Sequence, residues 1–208
     1  MSSATPSVPG LGKERLEALT DGIFATVMTV LVLSISVPVI ATGSNNADVA
    51  GVLGGLGPNI LGYVLSFLLL AVLWVSHHNI FHYMKGVNRP LLWLNTFFLL
   101  TIGFLPFSTA VMGRYHDLQL PVIIYGANII ATSICVLGIL SYSSRTGLLA
   151  VSEREGSVVR RIRSRWRTGI IMYLTAIILS FISPLISFTA YVAILTFVVV
   201  QSIFWLQT

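Results

Sequence analysis

The chain has 208 residues, of which 55% are hydrophobic and only 9% are Asp, Glu, Lys or Arg. Soluble globular domains carry about 25% charged residues, so this composition excludes a soluble fold and predicts a membrane protein. The net charge of +5 comes from basic residues that lie between apolar segments, where such residues orient membrane helices; we therefore expect no nucleic-acid partner. The single cysteine, Cys135, excludes an intramolecular disulfide.

Six apolar segments predict an all-α membrane protein with six transmembrane helices. A helix needs about 20 apolar residues to cross a hydrocarbon core of about 30 Å. The predicted spans are 17–39, 55–81, 90–112, 120–143, 168–183 and 186–206. Residues 1–14, which include several Ser and Pro, are expected to form a disordered cytoplasmic N-terminus, and residues 15–208 to form one membrane domain.

The distribution of Lys and Arg predicts that both termini are cytoplasmic. With this orientation all but one of the 12 basic residues lie in cytoplasmic segments, and only Arg114 lies outside. Most of them belong to the segment 144–167, which we expect to be a cytoplasmic loop or an amphipathic helix. Two interpretations of this segment stay open: it anchors the topology, or it binds anionic lipid or a regulator.

The first span carries polar residues that a lipid-facing helix does not need. At 100° per residue, one stripe collects Gly22, Thr26, Thr29, Val30, Leu33 and Val37. Where several copies meet, this stripe can line a pore in which hydroxyls replace part of an ion's hydration shell, with Val30 and Leu33 as an apolar gate. The alternative is that the hydroxyls bond only to carbonyls of their own helix.

On the other side of this helix, Asp21 is a candidate for a buried polar network. In the predicted topology Asp21, His77 and Asn95 lie at the same depth, near the cytoplasmic side of the first three spans. Ionisable residues within membranes usually face a bundle interior, where unpaired polar groups are costly. We therefore expect these groups to form an interhelical network. The alternative places the histidines at the interface, in contact with lipid headgroups.

Two other motifs are rejected on the sequence. His78 and His82 are four residues apart on one helical face, but the further ligands of a metal site are missing, so we expect no metal and no cofactor. The segment 101–104, Thr-Ile-Gly-Phe, nearly matches a potassium-filter sequence, but Leu105 follows where a filter has glycine. Because the segment also lies within an apolar span, a pore loop is not predicted.

The order of the motifs resembles a known family. Arg15-x-x-x-Leu-Thr-Asp21 in the first span resembles the Arg-x-x-x-Phe-Ser-Asp signature of the bacterial homologues of the lysosomal potassium channel. The segment 73–78, Leu-Trp-x-x-His-His, is similar to the end of the family's second helix, and 93–107 is similar to its third helix. The resemblance extends over nearly the whole chain in order and number of spans.

This resemblance implies a homotetramer in the inner membrane of a bacterium, in which four copies of the first helix line a pore without a pore loop. It implies permeation of potassium in preference to sodium, with protons conducted by some members. The family's apolar constriction aligns with Thr26, Val30 and Leu33, and its selectivity threonine aligns with Thr29. Because Thr26 replaces a bulky apolar residue of the family, we expect the narrowest point at Val30 and Leu33.

The resemblance also implies that Arg15 and Asp21 join the histidine of the second helix in an interhelical network. Together with the stripe, it predicts a potassium-preferring cation channel that catalyses no reaction. A second interpretation is a proton-coupled or proton-conducting transporter that uses Asp21 and the helix-two histidines as a relay. The sequence shows no inverted repeat with broken helices, which such a transporter commonly has. A membrane scaffold without transport is the third interpretation.

Overall fold

The computed structural model describes residues 12–36, 38–40, 42–149 and 153–205, with only the backbone described at 153–155, 158 and 203–205. Within these ranges the chain forms seven α-helices, which confirms the predicted all-α fold. They are α1 (Lys13–Val30), α2 (Asn46–Gly54), α3 (Gly57–His82), α4 (Arg89–Arg114), α5 (Gln119–Arg145), α6 (Glu153–Leu179) and α7 (Pro184–Trp205). Most of the segment 1–14 lies outside the described residues, but its last two residues already belong to α1.

Helix α1 is shorter at its C-terminal end than the predicted span 17–39. The α-helix ends at Val30, and a 3-10 helix (Leu31–Ser34) follows before Ile35 adopts extended backbone. Pro38 prevents a regular helix from continuing to the predicted end at 39, because proline has no N–H to donate and disfavours the helical conformation in the residue before it. Val37, the outermost member of the predicted stripe, lies outside the described residues.

Helix α2 occupies a connection in which the sequence predicted no helix. The Asn45 side chain caps it by accepting from the N–H groups of Ala47 and Asp48, at 2.8 and 3.1 Å. The Asp48 carboxylate in turn accepts from the Asn45 N–H at 2.9 Å. This reciprocal pair satisfies donors at the start of the helix. Helix α3 then begins at Gly57, with a proline in its first turn, close to the predicted start at 55.

Helix α4 runs without a break through the segment that resembles a potassium filter. The Asn88 side chain caps it by accepting from the Leu91 N–H at 3.1 Å. Thr101 lies in the middle of the helix, and its hydroxyl donates to the Phe98 carbonyl at 2.7 Å. The segment 101–104 is therefore helix and not a filter loop, in agreement with the sequence interpretation.

The basic segment predicted as a loop over 144–167 is helical from Glu153 onward. It continues into the fifth apolar segment as α6, which ends at Leu179 and not at 183. The stretch 153–179 contains no proline, so nothing in it interrupts the backbone hydrogen bonds of a helix. A turn at 180–183 then leads to Pro184, which begins α7. Of the two predictions for this segment, a loop or an amphipathic helix, the helix agrees better with the structure. That the basic segment and the fifth apolar segment form one continuous helix is not predicted from the sequence.

Within the described ranges, five helices are long and apolar enough to cross a membrane, judged by length and composition. They are Lys13–Ser34, Gly57–His82, Arg89–Arg114, Gln119–Arg145 and Pro184–Ser202. Helix α6 does not meet this criterion, because its first half carries arginines and its apolar part, from Thr168 to Leu179, is about 18 Å long. A hydrocarbon core of about 30 Å exceeds that length. The six predicted spans thus correspond to five candidate spans and one half-basic helix.

Three basic segments meet at one end of the helix bundle. The Lys13 ammonium donates to the Met84 carbonyl at 3.1 Å, which joins the start of α1 to the α3–α4 connection. The Lys85 N–H donates to the Leu148 carbonyl at 2.9 Å, and Met84 pairs with Leu149 in an antiparallel bridge. The N-terminal end of α1 and the connections after α3 and α5 therefore lie on the same side, as the distribution of Lys and Arg predicts.

Helix α1 packs against α3 and α4 through one face. Leu16, Phe24 and Val27 are buried on this face, at the spacing of a helix with one apolar side, and Leu31 of the following 3-10 helix is buried too. The Phe24 ring lies 5.9 Å from the ring of Phe98 in α4. The opposite face of α1 stays at the surface of the chain.

Candidate functional site

The predicted pore stripe lies on the exposed face of α1. Gly22, Thr26 and Thr29 are exposed, Val30 is 42% exposed, and Leu33 in the 3-10 helix is 74% exposed. A Cβ added at Gly22 would have no neighbouring atom within 4 Å outside its own helix. The described helices of the chain therefore do not cover this face, and it is open to water, lipid or another copy.

Both threonine hydroxyls of the stripe donate to their own helix. Thr26 Oγ1 donates to the Gly22 carbonyl at 2.8 Å, and Thr29 Oγ1 donates to the Thr26 carbonyl at 2.7 Å. These are the bonds that the alternative interpretation of the stripe expects. They use the hydroxyl proton, but a hydroxyl oxygen also has two acceptor lone pairs. Bonding within the helix is therefore compatible with presenting an oxygen to a cation.

His77 and Asn95 belong to a buried interhelical network. His77 Nε2 lies 2.8 Å from Asn95 Oδ1, Asn95 Nδ2 donates to Thr20 Oγ1 at 3.0 Å, and Thr20 Oγ1 donates to the Leu16 carbonyl at 2.9 Å. Thr20 and Asn95 are fully buried, and His77 is nearly so. The network joins α1, α3 and α4, and its members supply each other with the hydrogen bonds that buried polar groups need.

The direction of these bonds fixes the proton on His77. Because the Thr20 hydroxyl already donates to Leu16, it accepts from the Asn95 amide, which turns the Asn95 carbonyl oxygen toward His77. A carbonyl oxygen can only accept, so Nε2 of His77 is the donor. The His77 ring also lies against the rings of Phe81 and Phe98, with centroids 4.1 and 5.4 Å away. Hydrogen bonding and packing together hold the ring in one orientation.

Asp21 lies on the exposed side of α1, apart from the His77–Asn95–Thr20 network. Its Oδ1 accepts from the indole Nε1 of Trp74 in α3 at 2.8 Å. The predicted hydrogen-bond network of Asp21 with His77 and Asn95 is therefore corrected. One helical residue corresponds to a rotation of 100°, so Thr20 faces the interior while Asp21 faces the surface. Arg15 is exposed in the first turn of α1.

The sequence interpretation assigned no role to Thr20 or Trp74, although both lie in the quoted motifs. Thr20 shares the helical face of Leu16 and Phe24, which is a signal that its hydroxyl points inward. Trp74 offers an indole N–H, which needs an acceptor in an apolar segment. The next histidine of α3, His78, stacks on the Trp74 ring with centroids 5.9 Å apart.

Comparison with known proteins identifies the family. The family model described as endosomal/lysosomal potassium channel TMEM175 matches residues 15–106. A potassium channel of Chryseobacterium sp. (strain P1-3) is 32% identical over 182 residues, which are 86% of this chain and 88% of that protein. The chain belongs to the TMEM175 family. The resemblance stated from its motifs is thus confirmed, and TMEM175 proteins are ion channels, not enzymes.

Two further TMEM175 proteins show how far the similarity extends. The crystal structure of a lysosomal potassium-selective channel TMEM175 homolog from Chamaesiphon minutus matches with a TM-score of 0.77 and 27% identity, over 91% of this chain and 97% of that one. The endosomal/lysosomal proton channel TMEM175 of Bos taurus is 34% identical over 103 residues, which are 47% of this chain and 22% of that protein. The bacterial TMEM175 fold therefore extends over nearly the whole chain, whereas the similarity to the bovine protein covers about half.

Proposed function

We propose that this TMEM175 chain is a potassium-preferring cation channel whose central pore is formed by α1 of four identical subunits. Potassium is the permeant ion, and no cofactor takes part. The observation that carries the proposal is the exposed stripe of α1: one chain leaves it uncovered, so it can line an ion path only where copies meet. The names of the bacterial relatives support potassium as the ion.

Asp21 favours an assembly over a single chain in lipid. An Asp within a membrane helix has a transfer penalty of about 2.5 to 3.5 kcal/mol, and such residues usually face protein or water. Trp74 donates one hydrogen bond to Asp21, yet the carboxylate stays exposed on the single chain. A neighbouring subunit or the aqueous mouth of a pore would remove this penalty.

In the proposed assembly all six long helices cross the inner membrane of a bacterium, with both termini cytoplasmic. The end of the bundle that carries Lys13, Lys85 and the arginines of α6 faces the cytoplasm. Helix α6 has an apolar part that is shorter than the hydrocarbon core. Its arginines therefore extend toward the lipid headgroups. Anionic lipids are accordingly the expected partners of its basic half.

Three levels of the pore differ in this proposal. Val30 and Leu33 form the apolar constriction, which closes to ions when water leaves it. Thr29 lies one residue before this constriction and presents its hydroxyl oxygen to potassium. Thr26 is smaller and more polar than a bulky apolar residue, so the pore is wider and better hydrated at that level.

The variant Thr26→Trp tests whether α1 lines the pore. Each of the four subunits would place one tryptophan in the pore at this level, and together they would block it. Potassium flux into liposomes is therefore expected to fall to near background. Thr175→Trp is the matched control, because Thr175 is also exposed and bonds to the carbonyl four residues earlier, at 2.9 Å, but lies on α6. Its flux should stay close to that of the unmodified chain. Full flux through Thr26→Trp would remove α1 from the pore.

Proton conduction is the second candidate function. It is favoured by the name of the bovine relative, a proton channel, and by the presence of Asp21 and the α3 histidines near one end of α1. Flux driven by a pH gradient at equal potassium on both sides distinguishes it from potassium permeation. A proton current that persists in Thr26→Trp would assign protons to a path outside the stripe.

A further inference from the structure

A cavity of about 490 Å³ lies between α3, α5, α6 and α7. Its volume falls in the range of ligand sites, which is about 300 to 1,000 Å³. The described residues that line it come from these four helices, so it is separate from the exposed stripe of α1. One end of the cavity is basic and polar, and the other end is apolar. The occupant should therefore carry both an anionic group and an apolar part.

The end of the cavity nearest the cytoplasmic side in the proposed orientation is polar. Arg161 and Arg165 line it from one face of α6, four residues apart, and no Asp or Glu is among its described lining residues. The neutral polar side chains at this end are Ser76, Asn79, Ser164, Thr168, Gln201 and Ser202. The cavity therefore presents two positive charges surrounded by hydrogen-bonding groups.

Arg165 is held in place by α7 without being neutralised by it. Its Nη2 donates to Ser202 Oγ at 2.7 Å and to the Val198 carbonyl at 3.4 Å. Both acceptors are uncharged, and the side chain is half-buried. A guanidinium has five N–H donors, and its planar fork suits the oxygens of a phosphate. The remaining donors of Arg165 are thus available to an anion in the cavity.

The other end of the cavity is apolar. Leu68, Leu69 and Val72 of α3 line it together with Ile129 of α5 and Met172 of α6. The lining residues of α3 extend from Leu68 to Asn79, which corresponds to a rise of about 17 Å along the helix. This is about half of a hydrocarbon core of about 30 Å. The cavity therefore has the depth of a single leaflet.

We propose that this cavity binds an anionic phospholipid of the cytoplasmic leaflet. The phosphate contacts Arg161 and Arg165, and part of one acyl chain lies against Leu68, Leu69 and Met172. A free anion would leave the apolar half without a ligand. A zwitterionic phospholipid carries a phosphate too, but its ammonium group adds a positive charge beside the two guanidinium groups. Basic pockets between membrane helices on the cytoplasmic side commonly bind such headgroups. The proposal depends on the proposed orientation of the chain, but not on potassium permeation.

Lipid binding to the purified, delipidated full chain tests the proposal directly. Native mass spectrometry would follow titration with phosphatidylglycerol and, in parallel, with phosphatidylcholine. The variant Arg161→Gln with Arg165→Gln should weaken phosphatidylglycerol binding about 30-fold, because each basic residue near an anionic lipid contributes about five-fold to the affinity. The unmodified chain should bind phosphatidylglycerol more tightly than phosphatidylcholine.

The matched control is Arg160→Gln with Arg167→Gln. It removes the same charge from exposed positions of the same helix that do not line the cavity, and it should change the affinity less than about three-fold. A second variant, Gly169→Leu, keeps all charges and adds bulk at a lining position where a Cβ meets nothing within 4 Å. It should also weaken phosphatidylglycerol binding.

Three results would overturn the proposal. Equal weakening by the two double variants would indicate attraction to the basic surface and not a site in the cavity. Equal binding of the two lipids by the unmodified chain would exclude selection for an anionic headgroup. Loss of the oligomer in Arg161→Gln with Arg165→Gln, at unchanged lipid affinity, would indicate that a neighbouring subunit, and not a lipid, contacts the cavity. Because binding is measured without ion flux, failure of the channel proposal would leave these results interpretable.

Discussion

In the proposed channel, the threonine hydroxyls of α1 serve both their own helix and the permeant ion. Thr29 donates its proton to a carbonyl three residues earlier, which satisfies the donor and fixes the side-chain rotamer. The oxygen keeps its lone pairs, and a cation that has lost part of its hydration shell needs such oxygens. At the residue scale, selectivity should therefore depend on an oxygen whose position is set by the helix itself.

Thr29→Val is expected to reduce the preference for potassium over sodium. Valine keeps the size and branching of threonine but removes the oxygen, so potassium would lose a ligand while the pore keeps its width. Reversal potentials in mixed salt measure the effect. Thr189→Val is the matched control, because Thr189 is also exposed and also donates to the carbonyl three residues earlier, at 2.8 Å, but lies on α7. Equal selectivity in the two variants would contradict a role for Thr29.

At the scale of helices, two adjacent residues of α1, Thr20 and Asp21, join it to its neighbours by separate polar contacts. Its buried face is tied to α4 and α3 by Thr20, Asn95 and His77, and its exposed side is tied to α3 by Asp21 and Trp74. Because the two contacts lie on adjacent residues of α1, they restrict rotation of the helix about its axis. The orientation of the stripe thus depends on polar bonds as well as on apolar packing.

Thr20→Val should destabilise the chain by about 1 to 3 kcal/mol, because the buried Asn95 amide loses its acceptor. Thr132→Val is the control: Thr132 is buried in α5 and donates to its own helix at 2.8 Å. It should cost about 1 kcal/mol or less, since only a bond within the helix is lost. Thermal unfolding in detergent measures both. Equal midpoints would show that the Thr20–Asn95 bond contributes nothing beyond the local one.

The Asp21–Trp74 bond should stabilise the assembly more than it affects the conductance of each pore. Asp21→Ala and Trp74→Phe are each expected to lower the tetramer fraction, and the double variant should be no worse than either one, because both remove the same bond. Asp21→Asn keeps an acceptor oxygen and should retain more tetramer than Asp21→Ala. Mass photometry reports the fractions. Trp93→Phe, at an exposed tryptophan of α4, is the control.

At the scale of the whole molecule, the connections divide between two ends of the bundle. The contact of Lys13 with Met84 and the bridge from Met84 to Leu149 bring three segments together at the basic end. The α4–α5 connection, which contains Asp117 and follows Arg114 at the end of α4, lies at the opposite end of the same helices. The difference in charge between the two ends is what orients a membrane protein during insertion.

Cysteine labelling tests this orientation in a Cys135→Ser background, which removes the single native thiol. Asp117→Cys should react with a membrane-impermeant maleimide added to intact cells from the outer side. Lys85→Cys should react only after the membrane is permeabilised, because its connection lies at the basic end, which the proposed orientation places in the cytoplasm. Both positions are exposed, so burial does not account for a difference. The reverse pattern would contradict cytoplasmic termini.

The sequence by itself determined the membrane class, the helical fold, the two-sided distribution of charge and the TMEM175 family, because composition and local motifs carry this information. The stripe on α1 was also predictable, since helical periodicity places its residues on one face. Tertiary structure decided that Thr20, and not Asp21, bonds to Asn95, and that Trp74 is the partner of Asp21. It also decided that Arg161 and Arg165 of α6 line a cavity. These facts depend on how helices distant in sequence are rotated against each other, and that rotation is set by the packing of the whole bundle.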